Sequence, residues 1–178
     1  KVVGMYMPKD SKTAALLTYC CSNSSLKNFL ENKLKKTLNA NIKKERNEKN
    51  TYFTTQYQII YGICGAMKYL ENNEMFHGNL NPTNVLIDDK NKPILNNIKM
   101  KAQYSKEEIE DPDIIINYFA PEIITGKNST IKSDVYSFGL IINQLFSGDE
   151  PYSSATSREE LISKILNEKP EISPKVPE

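Results

Sequence analysis

The residues best placed to do chemistry form the run from His77 to Asn84, which joins a helix-like segment to a strand-like one. A loop in that position lets several side chains converge on one ligand. Asn84 opens the strand, and Asn97 closes the strand that is expected to pair with it, so the two amides can face each other. Their oxygen atoms could clamp a metal ion that bridges phosphates, although a neutral amide attracts Mg²⁺ far less than a carboxylate does. The spacing therefore suits a metal site with weak ligands.

A simpler interpretation of the same residues stays open. Asparagine side chains often cap the ends of strands and turns, and that role is the favoured one for Asn84 and Asn97 on residue type alone. His77 is the only histidine in the chain. A single histidine is more often a hydrogen-bonded structural residue than a catalyst. The loop needs further support before it can be interpreted as a functional site.

Two elements are expected ahead of the loop. A hairpin is predicted from Val2 to Met7 and from Ala14 to Cys20, because a turn rich in Pro, Asp and Ser separates these short apolar runs. A helix then begins at a Ser24-Ser25 cap. Residues 35–50 are polar and aperiodic, and we interpret them as a solvated loop or a frayed extension of the helix. The apolar face of this helix consists of Leu26, Phe29, Leu30 and Leu34.

The elements on either side of the loop have the clearest patterns. Apolar residues recur at helical spacing from Thr54 to Asn72, which predicts a long amphipathic helix with a buried stripe. After the loop, Val85–Ile87 and Pro93–Leu95 are expected to form a second hairpin around a polar turn. The loop should therefore lie between a rigid helix and a hairpin. The buried stripe consists of Ile59, Ile60, Ile63, Ala66, Met67 and Leu70.

The C-terminal half combines a polar segment with two helices. Residues 99–117 are polar and charged, which predicts a mobile surface segment without regular structure. A helix capped by Ser133 is apolar on more than one face, with Val135 among its apolar residues, so we expect it in the centre of the core. A last amphipathic helix begins with a capping box from Ser157 to Glu160.

Composition places the chain among globular proteins. Its 178 residues are 39% hydrophobic and 25% charged, with a net charge of +1. This balance suits one domain and gives no bulk field that would attract nucleic acid or anionic lipid. Three cysteines lack the spacing of a disulfide framework or a zinc site, which predicts reduced thiols. No run resembles a signal peptide or a membrane span. Pattern alone predicts one α+β domain in which helices dominate.

Three separated segments resemble, in order, motifs of the protein kinase superfamily. His77-Gly78-Asn79, followed by Asn84, resembles the catalytic loop His-Arg-Asp and its metal-binding Asn. Ala120-Pro121-Glu122 matches the motif that closes the activation segment. Ser133 to Gly139 is similar to the start of the family's central helix, whose Asp, here Asp134, holds the backbone of the catalytic loop. The likeness covers nearly the whole chain and is nearest to the tyrosine kinases and the tyrosine-kinase-like serine/threonine group.

The resemblance implies an α+β, protein-kinase-like fold with a mainly helical C-lobe and two short β-hairpins, truncated at both ends. Residues 1–178 would form a partial kinase domain, in which 1–21 are the last N-lobe strands and the hinge and 22–178 belong to the C-lobe. By the same resemblance, the adenine ring of ATP would contact Thr18, Tyr19, Cys20, Cys21 and Leu86.

Several positions depart from the family's pattern. The resemblance puts Asn79 where the family has the Asp that accepts the substrate's proton, and a neutral amide cannot act as that base. It puts Asn97 at the Asp that holds Mg²⁺, Asn81 at a catalytic-loop Lys and Gly78 at an Arg. Loss of a general base alone typically costs about 10² to 10⁴ in rate, or roughly 3 to 5 kcal/mol of barrier. The candidate catalytic positions are His77, Asn79 and Asn81, and the candidate metal ligands are Asn84 and Asn97.

These departures lead us to expect a pseudokinase that acts as a signalling scaffold or an allosteric interaction module. Its partners would be other signalling proteins, with residues 99–117 as the switching element. The family's cofactors, ATP and Mg²⁺, are expected to bind weakly or not at all. Its expected location is the cytoplasm, or the intracellular part of a membrane protein. An active serine/threonine or tyrosine kinase that compensates for the missing carboxylates is the alternative, and a helical domain unrelated to kinases is a third interpretation.

Overall fold

A computed structural model describes residues 2–6, 15–18, 21, 24–39, 46–99 and 103–177. The N-terminal strands β1 (Val2–Tyr6) and β2 (Ala15–Thr18) pair antiparallel, as the hairpin prediction required. Helices α1 (Leu26–Asn39) and α2 (Arg46–Asn72) follow. The backbone N–H of Asn28 donates to Ser25 Oγ at 3.3 Å, which confirms the cap at the start of α1.

A second hairpin follows α2. A 3₁₀ turn, Pro82–Asn84, leads into β3 (Val85–Ile87), which pairs antiparallel with β4 (Pro93–Leu95). Asp88 stabilises the connecting turn, because its Oδ1 accepts the backbone N–H groups of Lys90 at 2.9 Å and of Lys92 at 2.7 Å. Both strands have the predicted bounds, so the end of the His77–Asn84 loop is fixed by a hairpin.

Four helices complete the part of the chain that the structure describes. They are α3 (Lys106–Glu110), α4 (Pro121–Ile124), α5 (Ile131–Ser147) and α6 (Arg158–Asn167). Helix α5 ends where Gly148 adopts a left-handed conformation with φ of 89°, a conformation that glycine reaches without steric cost. With helices dominant and strands confined to short hairpins, the described residues confirm the α+β class.

Two hydrophobic clusters hold these elements together. The first joins α1, α2, the second hairpin and α5. It consists of Leu26, Leu30, Ile59, Ile63, Met67, Leu80, Val85, Ile87, Tyr118, Leu140, Ile141 and Leu145. The predicted stripe of α2 supplies three of these residues, and Leu70 is buried as well. The helical spacing of the apolar residues therefore predicted the buried face of α2.

The second cluster joins α3, α4 and α6 to the chain between α3 and α4. It consists of Tyr104, Ile109, Ile116, Phe119, Ala120, Ile123, Leu161 and Ile165. Within the described residues 103–117, this cluster and helix α3 overturn the prediction of a surface segment without regular structure. Helix α3 lies inside that segment and has a capping box, in which Ser105 Oγ accepts from the backbone N–H of Glu108 at 3.3 Å. Tyr104, Ile109 and Ile116 of this segment are buried, which its polar composition concealed.

Four other predictions need correction. Helix α2 begins at Arg46, inside the run 35–50 that we interpreted as a loop or a frayed extension of α1. The N-cap of α5 is Thr130 and not Ser133, because Thr130 Oγ1 accepts from the backbone N–H of Lys132 at 3.2 Å. Val135 is 53% exposed and lies outside the core. At α6, Ser157 caps the helix, but the carboxylate of Glu160 binds Thr156 and completes no box with Ser157.

None of the helices in the described ranges combines the length and the apolar character that crossing a bilayer needs.

Candidate functional site

A buried carboxylate on α5 holds the start of the His77–Asn84 loop. Asp134 Oδ2 accepts the backbone N–H of His77 at 2.5 Å, and Oδ1 accepts that of Gly78 at 3.0 Å. Burial raises the pKa of Asp134, while the two N–H donors pull the pKa down. Both carboxylate oxygens thus accept hydrogen bonds from the loop backbone. This is the positioning role that the resemblance assigned to Asp134.

His77 is fully buried and hydrogen-bonded through both ring nitrogens. Its Nδ1 accepts the backbone N–H of Asn79 at 3.3 Å, so the ring proton lies on Nε2, which donates to the carbonyl of Asn96 at 3.0 Å. Burial lowers the pKa of His77, which keeps the ring neutral. The geometry favours a structural role: His77 ties the loop to the chain that follows β4.

The amides of the loop bind one another. Asn81 Nδ2 donates to Asn79 Oδ1 at 3.1 Å, and Asn84 Nδ2 donates to the backbone carbonyl of Asn79 at 2.8 Å. Asn81 Oδ1 accepts the backbone N–H of Thr83 at 3.0 Å and so caps the 3₁₀ turn. Asn81 and Asn84 are buried, and Asn79 is half-buried. The side-chain oxygen of Asn79 therefore already accepts a hydrogen bond within the loop.

Asn84 and Asn97 face each other, as the hairpin spacing predicted. Asn97 Nδ2 donates to Asn84 Oδ1 at 3.3 Å across the ends of the hairpin. Asn97 has a φ of 57°, a left-handed conformation in which asparagine is enriched several-fold among non-glycine residues. The backbone reinforces the contact, because Asn96 N–H donates to the carbonyl of Asn84 at 2.9 Å. Asn97 is exposed, so this pair forms the outer edge of the site.

These amides do not fit the Mg²⁺ ion that the resemblance implies. Mg²⁺ requires oxygen ligands and is usually bound through one or two carboxylates. The Asn84–Asn97 pair turns one oxygen and one nitrogen toward each other, and neither residue is charged. Within the described ranges, no group of three His, Cys, Asp or Glu side chains is arranged to hold a metal ion.

The candidate adenine contacts are only partly within the described residues. Thr18 ends β2, and both Cys21 and Leu86 are half-buried. Tyr19 and Cys20 lie outside the described residues.

A chain of backbone contacts does bring the region of Cys21 toward Leu86. The carbonyl of Cys21 accepts the N–H of Ser24 at 3.3 Å, and the carbonyl of Ser24 accepts the N–H of Ile87 at 2.9 Å. Ser25 forms an isolated antiparallel bridge with Leu86. Ser24 and Ser25 are therefore attached to β3.

Tyr104 is a contact of the loop that sequence reasoning missed. Its hydroxyl donates to the carbonyl of Gly78 at 2.8 Å, and its ring packs against Phe119 with centroids 4.7 Å apart. Burial, helped by the negative charges of Glu108 and Asp134, raises the pKa of Tyr104 to about 12. An aromatic residue within a polar segment was the only available signal, and it suggests burial without naming the partner.

Arg158, the first residue of α6, binds the polar segment that contains Tyr104, at positions nearer to α4. Its Nε and Nη1 donate to the carbonyls of Ile109 and Ile114 at 2.8 and 2.9 Å. Nη2 makes a second bond to the carbonyl of Ile109 at 2.6 Å. The guanidinium thus satisfies backbone carbonyls at the end of α3 and beyond it.

The Ala120-Pro121-Glu122 segment forms the start of α4 and is attached to α5. Glu122 Oε1 accepts the hydroxyl of Ser133 at 2.8 Å. Ser137 Oγ donates to the carbonyl of Tyr118 at 2.6 Å. Two serines of α5 therefore hold the chain that enters α4, which explains why Ser133 is buried although it is not the helix cap.

Comparison with known proteins agrees with this arrangement. The sequence model described as "Protein tyrosine and serine/threonine kinase" matches residues 1–177. The serine/threonine-protein kinase atg1 of Dictyostelium discoideum is 26% identical over 94% of the chain, which corresponds to 24% of that relative. A protein kinase and PP2C-like domain-containing protein of Arabidopsis thaliana is 32% identical over 53% of the chain and 17% of the relative.

The lectin-domain containing receptor kinase VI.4 of Arabidopsis thaliana is 30% identical over 58% of the chain and 16% of the relative. The chain thus spans about a quarter or less of these curated relatives. Because the family match covers residues 1–177 and the loop, hairpin and α5 take up the expected mutual positions, this chain belongs to the protein tyrosine and serine/threonine kinase family.

Proposed function

We propose that this chain is a catalytically impaired kinase domain, a pseudokinase, which acts as a signalling scaffold or an allosteric interaction module. Residues 1–21 would supply the last N-lobe strands and the hinge, and residues 22–178 the C-lobe. The observation that supports the proposal is the hydrogen-bonded amide at Asn79, whose Oδ1 accepts from Asn81 Nδ2 at 3.1 Å.

The chemistry of an amide explains why this observation matters. In a kinase, the residue at this position accepts the proton of the substrate hydroxyl and orients that hydroxyl toward the phosphate. An amide oxygen is far less basic than a carboxylate, and the oxygen of Asn79 is already engaged by Asn81. Loss of the base typically lowers the rate by about 10² to 10⁴.

The cofactors belong to the same proposal. The family uses ATP and Mg²⁺, and we propose that this chain binds both weakly or not at all. Adenine would contact Thr18 to Cys21 and Leu86, whereas Asn84 and Asn97 would be poor ligands for the metal ion that accompanies the phosphates. Other signalling proteins would be the partners, in the cytoplasm or in the intracellular part of a membrane protein.

Phosphoryl transfer by the full-length protein tests the proposal. The protein is incubated with labelled ATP, a protein substrate and Mg²⁺ or Mn²⁺, beside its Asn79→Asp and Asn84→Ala variants. We expect the unaltered protein to transfer no more label than Asn84→Ala does. Any residual transfer should rise in Asn79→Asp, by up to about 10² to 10⁴, because that variant restores a carboxylate at the base position.

One result would overturn the proposal. Transfer by the unaltered protein that disappears in Asn84→Ala would establish a working site built without the usual carboxylates.

The alternative function, an active kinase with a degenerate catalytic loop, has one observation in its favour. The curated relatives reported above are named as kinases or kinase-domain proteins. Catalysis of phosphoryl transfer depends mostly on positioning and electrostatics, and Asp134 still holds the loop backbone. The same assay separates the two functions.

A further inference from the structure

The hydrogen bonds of the amide cluster determine which atom each amide presents. The backbone carbonyl of Asn79 can only accept, so Asn84 must turn its Nδ2 toward it, at 2.8 Å. This places Asn84 Oδ1 toward Asn97. Because Oδ1 can only accept, Asn97 must in turn present Nδ2, at 3.3 Å. The orientation of both amides therefore follows from one backbone carbonyl.

The result is a pair in which donor and acceptor are already matched. A divalent cation between the two residues needs an oxygen from each, but Asn97 offers its nitrogen. To offer its oxygen instead, Asn97 would have to rotate its amide and give up the hydrogen bond to Asn84 Oδ1. The backbone bond from Asn96 to Asn84, at 2.9 Å, also holds the two chain segments at this separation.

The amide cluster itself carries no negative charge that would compensate for the missing oxygen. The cluster of Asn79, Asn81, Asn84 and Asn97 is neutral, and both oxygens of the nearby Asp134 already accept backbone N–H groups. A neutral site gives a divalent cation little reason to lose its hydration water, and Mg²⁺ dehydrates reluctantly.

We propose that the Asn84–Asn97 hydrogen bond replaces the metal ion at this site, so that the two ends of the hairpin are joined without a divalent cation, and that the amide of Asn97 is what excludes the cation. This inference deepens the proposed function and rests on it for the identity of the site. A carboxylate at position 97 should be enough to admit a cation, because it would present an anionic oxygen to Asn84 Oδ1.

The binding of Mn²⁺ alone tests this inference in the full-length protein. Bound Mn²⁺ is measured by the loss of the free-ion signal in electron paramagnetic resonance. The unaltered protein should bind no more Mn²⁺ than its Asn84→Ala variant. Asn97→Asp should bind it at least about tenfold more tightly, by the added charge and oxygen ligand. Asn96→Asp is the matched control, because it adds the same charge one residue away at an exposed position, and it should behave like the unaltered protein.

Two outcomes would overturn the inference. The first is Mn²⁺ binding by the unaltered protein that is lost in Asn84→Ala. The second is an Asn97→Asp variant that is folded by circular dichroism and binds no more Mn²⁺ than Asn96→Asp. If Asn97→Asp fails to fold, Asn97→Glu carries the same charge at the same exposed position and decides in the same way. Phosphoryl transfer without Mn²⁺ binding at this pair would contradict the proposed function and leave this inference standing.

Discussion

At the scale of single residues, an amide differs from a carboxylate by an NH₂ group in place of one oxygen. A neighbouring side chain can therefore meet a hydrogen-bond donor where a carboxylate would offer an acceptor. A carboxylate offers only acceptors, whereas an amide offers a donor and an acceptor, so two facing amides can pair with each other. Asn84 and Asn97 pair in this way at 3.3 Å, and Asn81 and Asn79 do so at 3.1 Å. The site is thereby satisfied internally, at the cost of the groups that phosphoryl transfer uses.

The buried ring of His77 leads to a prediction about pH. Burial holds the pKa of His77 below its usual 6.5. Between the lowered value and 6.5, the unfolded chain binds a proton that the folded chain does not. The contribution of His77 to the free energy of unfolding should therefore be fully present above pH 6.5 and decline as the pH falls below that value, until the folded-state pKa is reached.

Urea unfolding at a series of pH values measures this effect, with His77→Gln as the control. The variant lacks the titrating ring, so the difference in stability between the two proteins should shrink as the pH is lowered through 6.5. A difference that stays constant with pH would show that His77 is not held neutral.

At the scale of elements, the long helix α2 lies against the strand β4 at a glycine. A Cβ atom on Gly62 would come within 2.5 Å of Pro93 Cδ and closer still to Cγ. Gly65, one turn further along the same helix, has nothing within 4 Å of the corresponding position. The position of the hairpin, and with it that of Asn84 and Asn97, therefore depends on the lack of a side chain at Gly62.

Alanine substitutions at the two glycines form a matched pair. Gly62→Ala should destabilise the protein by about 1–3 kcal/mol, because the added methyl group pushes α2 away from Pro93. Gly65→Ala should stabilise it by roughly 0.5–1 kcal/mol, since alanine has the higher helix propensity and open space surrounds it. Thermal or urea unfolding measures both values. Equal effects at the two positions would contradict the close approach of helix and hairpin.

At the scale of the whole molecule, the segment between the hairpin and α4 connects distant parts of the chain. Tyr104 binds the loop through the carbonyl of Gly78, and Arg158 binds the carbonyls of Ile109 and Ile114 from α6. The segment thus contributes to the second hydrophobic cluster and contacts the candidate site at the same time. A partner that displaced it would disturb both.

Replacing Arg158 by methionine tests how firmly the segment is held. Arg158→Met keeps an apolar stem and removes three charge-assisted hydrogen bonds, so we expect a loss of about 1.5–3 kcal/mol or more in the free energy of unfolding. Amide hydrogen exchange should also speed up from Tyr104 to Ile116.

Lys106→Met is the control for this prediction. Lys106 is 83% exposed and forms only a 3.7 Å ion pair with Glu110, so its replacement should change stability by no more than about 0.5 kcal/mol. Similar losses in the two variants would mean that the guanidinium of Arg158 adds nothing to the anchoring of the segment.

Features that depend on local patterns could be predicted from the sequence. The helical period of α2 and the bounds of the second hairpin each arise from a few neighbouring residues. The kinase motifs identified the family, and the hairpin spacing brought Asn84 opposite Asn97. Local signals failed where polar residues continue a helix, as at the start of α2, and where an apolar residue such as Val135 is exposed.

Alone, the sequence determined the fold class, the family and the loss of carboxylates at positions 79 and 97. Only the tertiary structure decided that Tyr104 contacts Gly78, that Arg158 anchors α3, and that the amide of Asn97 presents its nitrogen to Asn84. The physical reason is distance along the chain. Propensity and hydrophobic period act between near neighbours, whereas these hydrogen bonds join residues 13 to 49 positions apart and require both backbone segments to be in place.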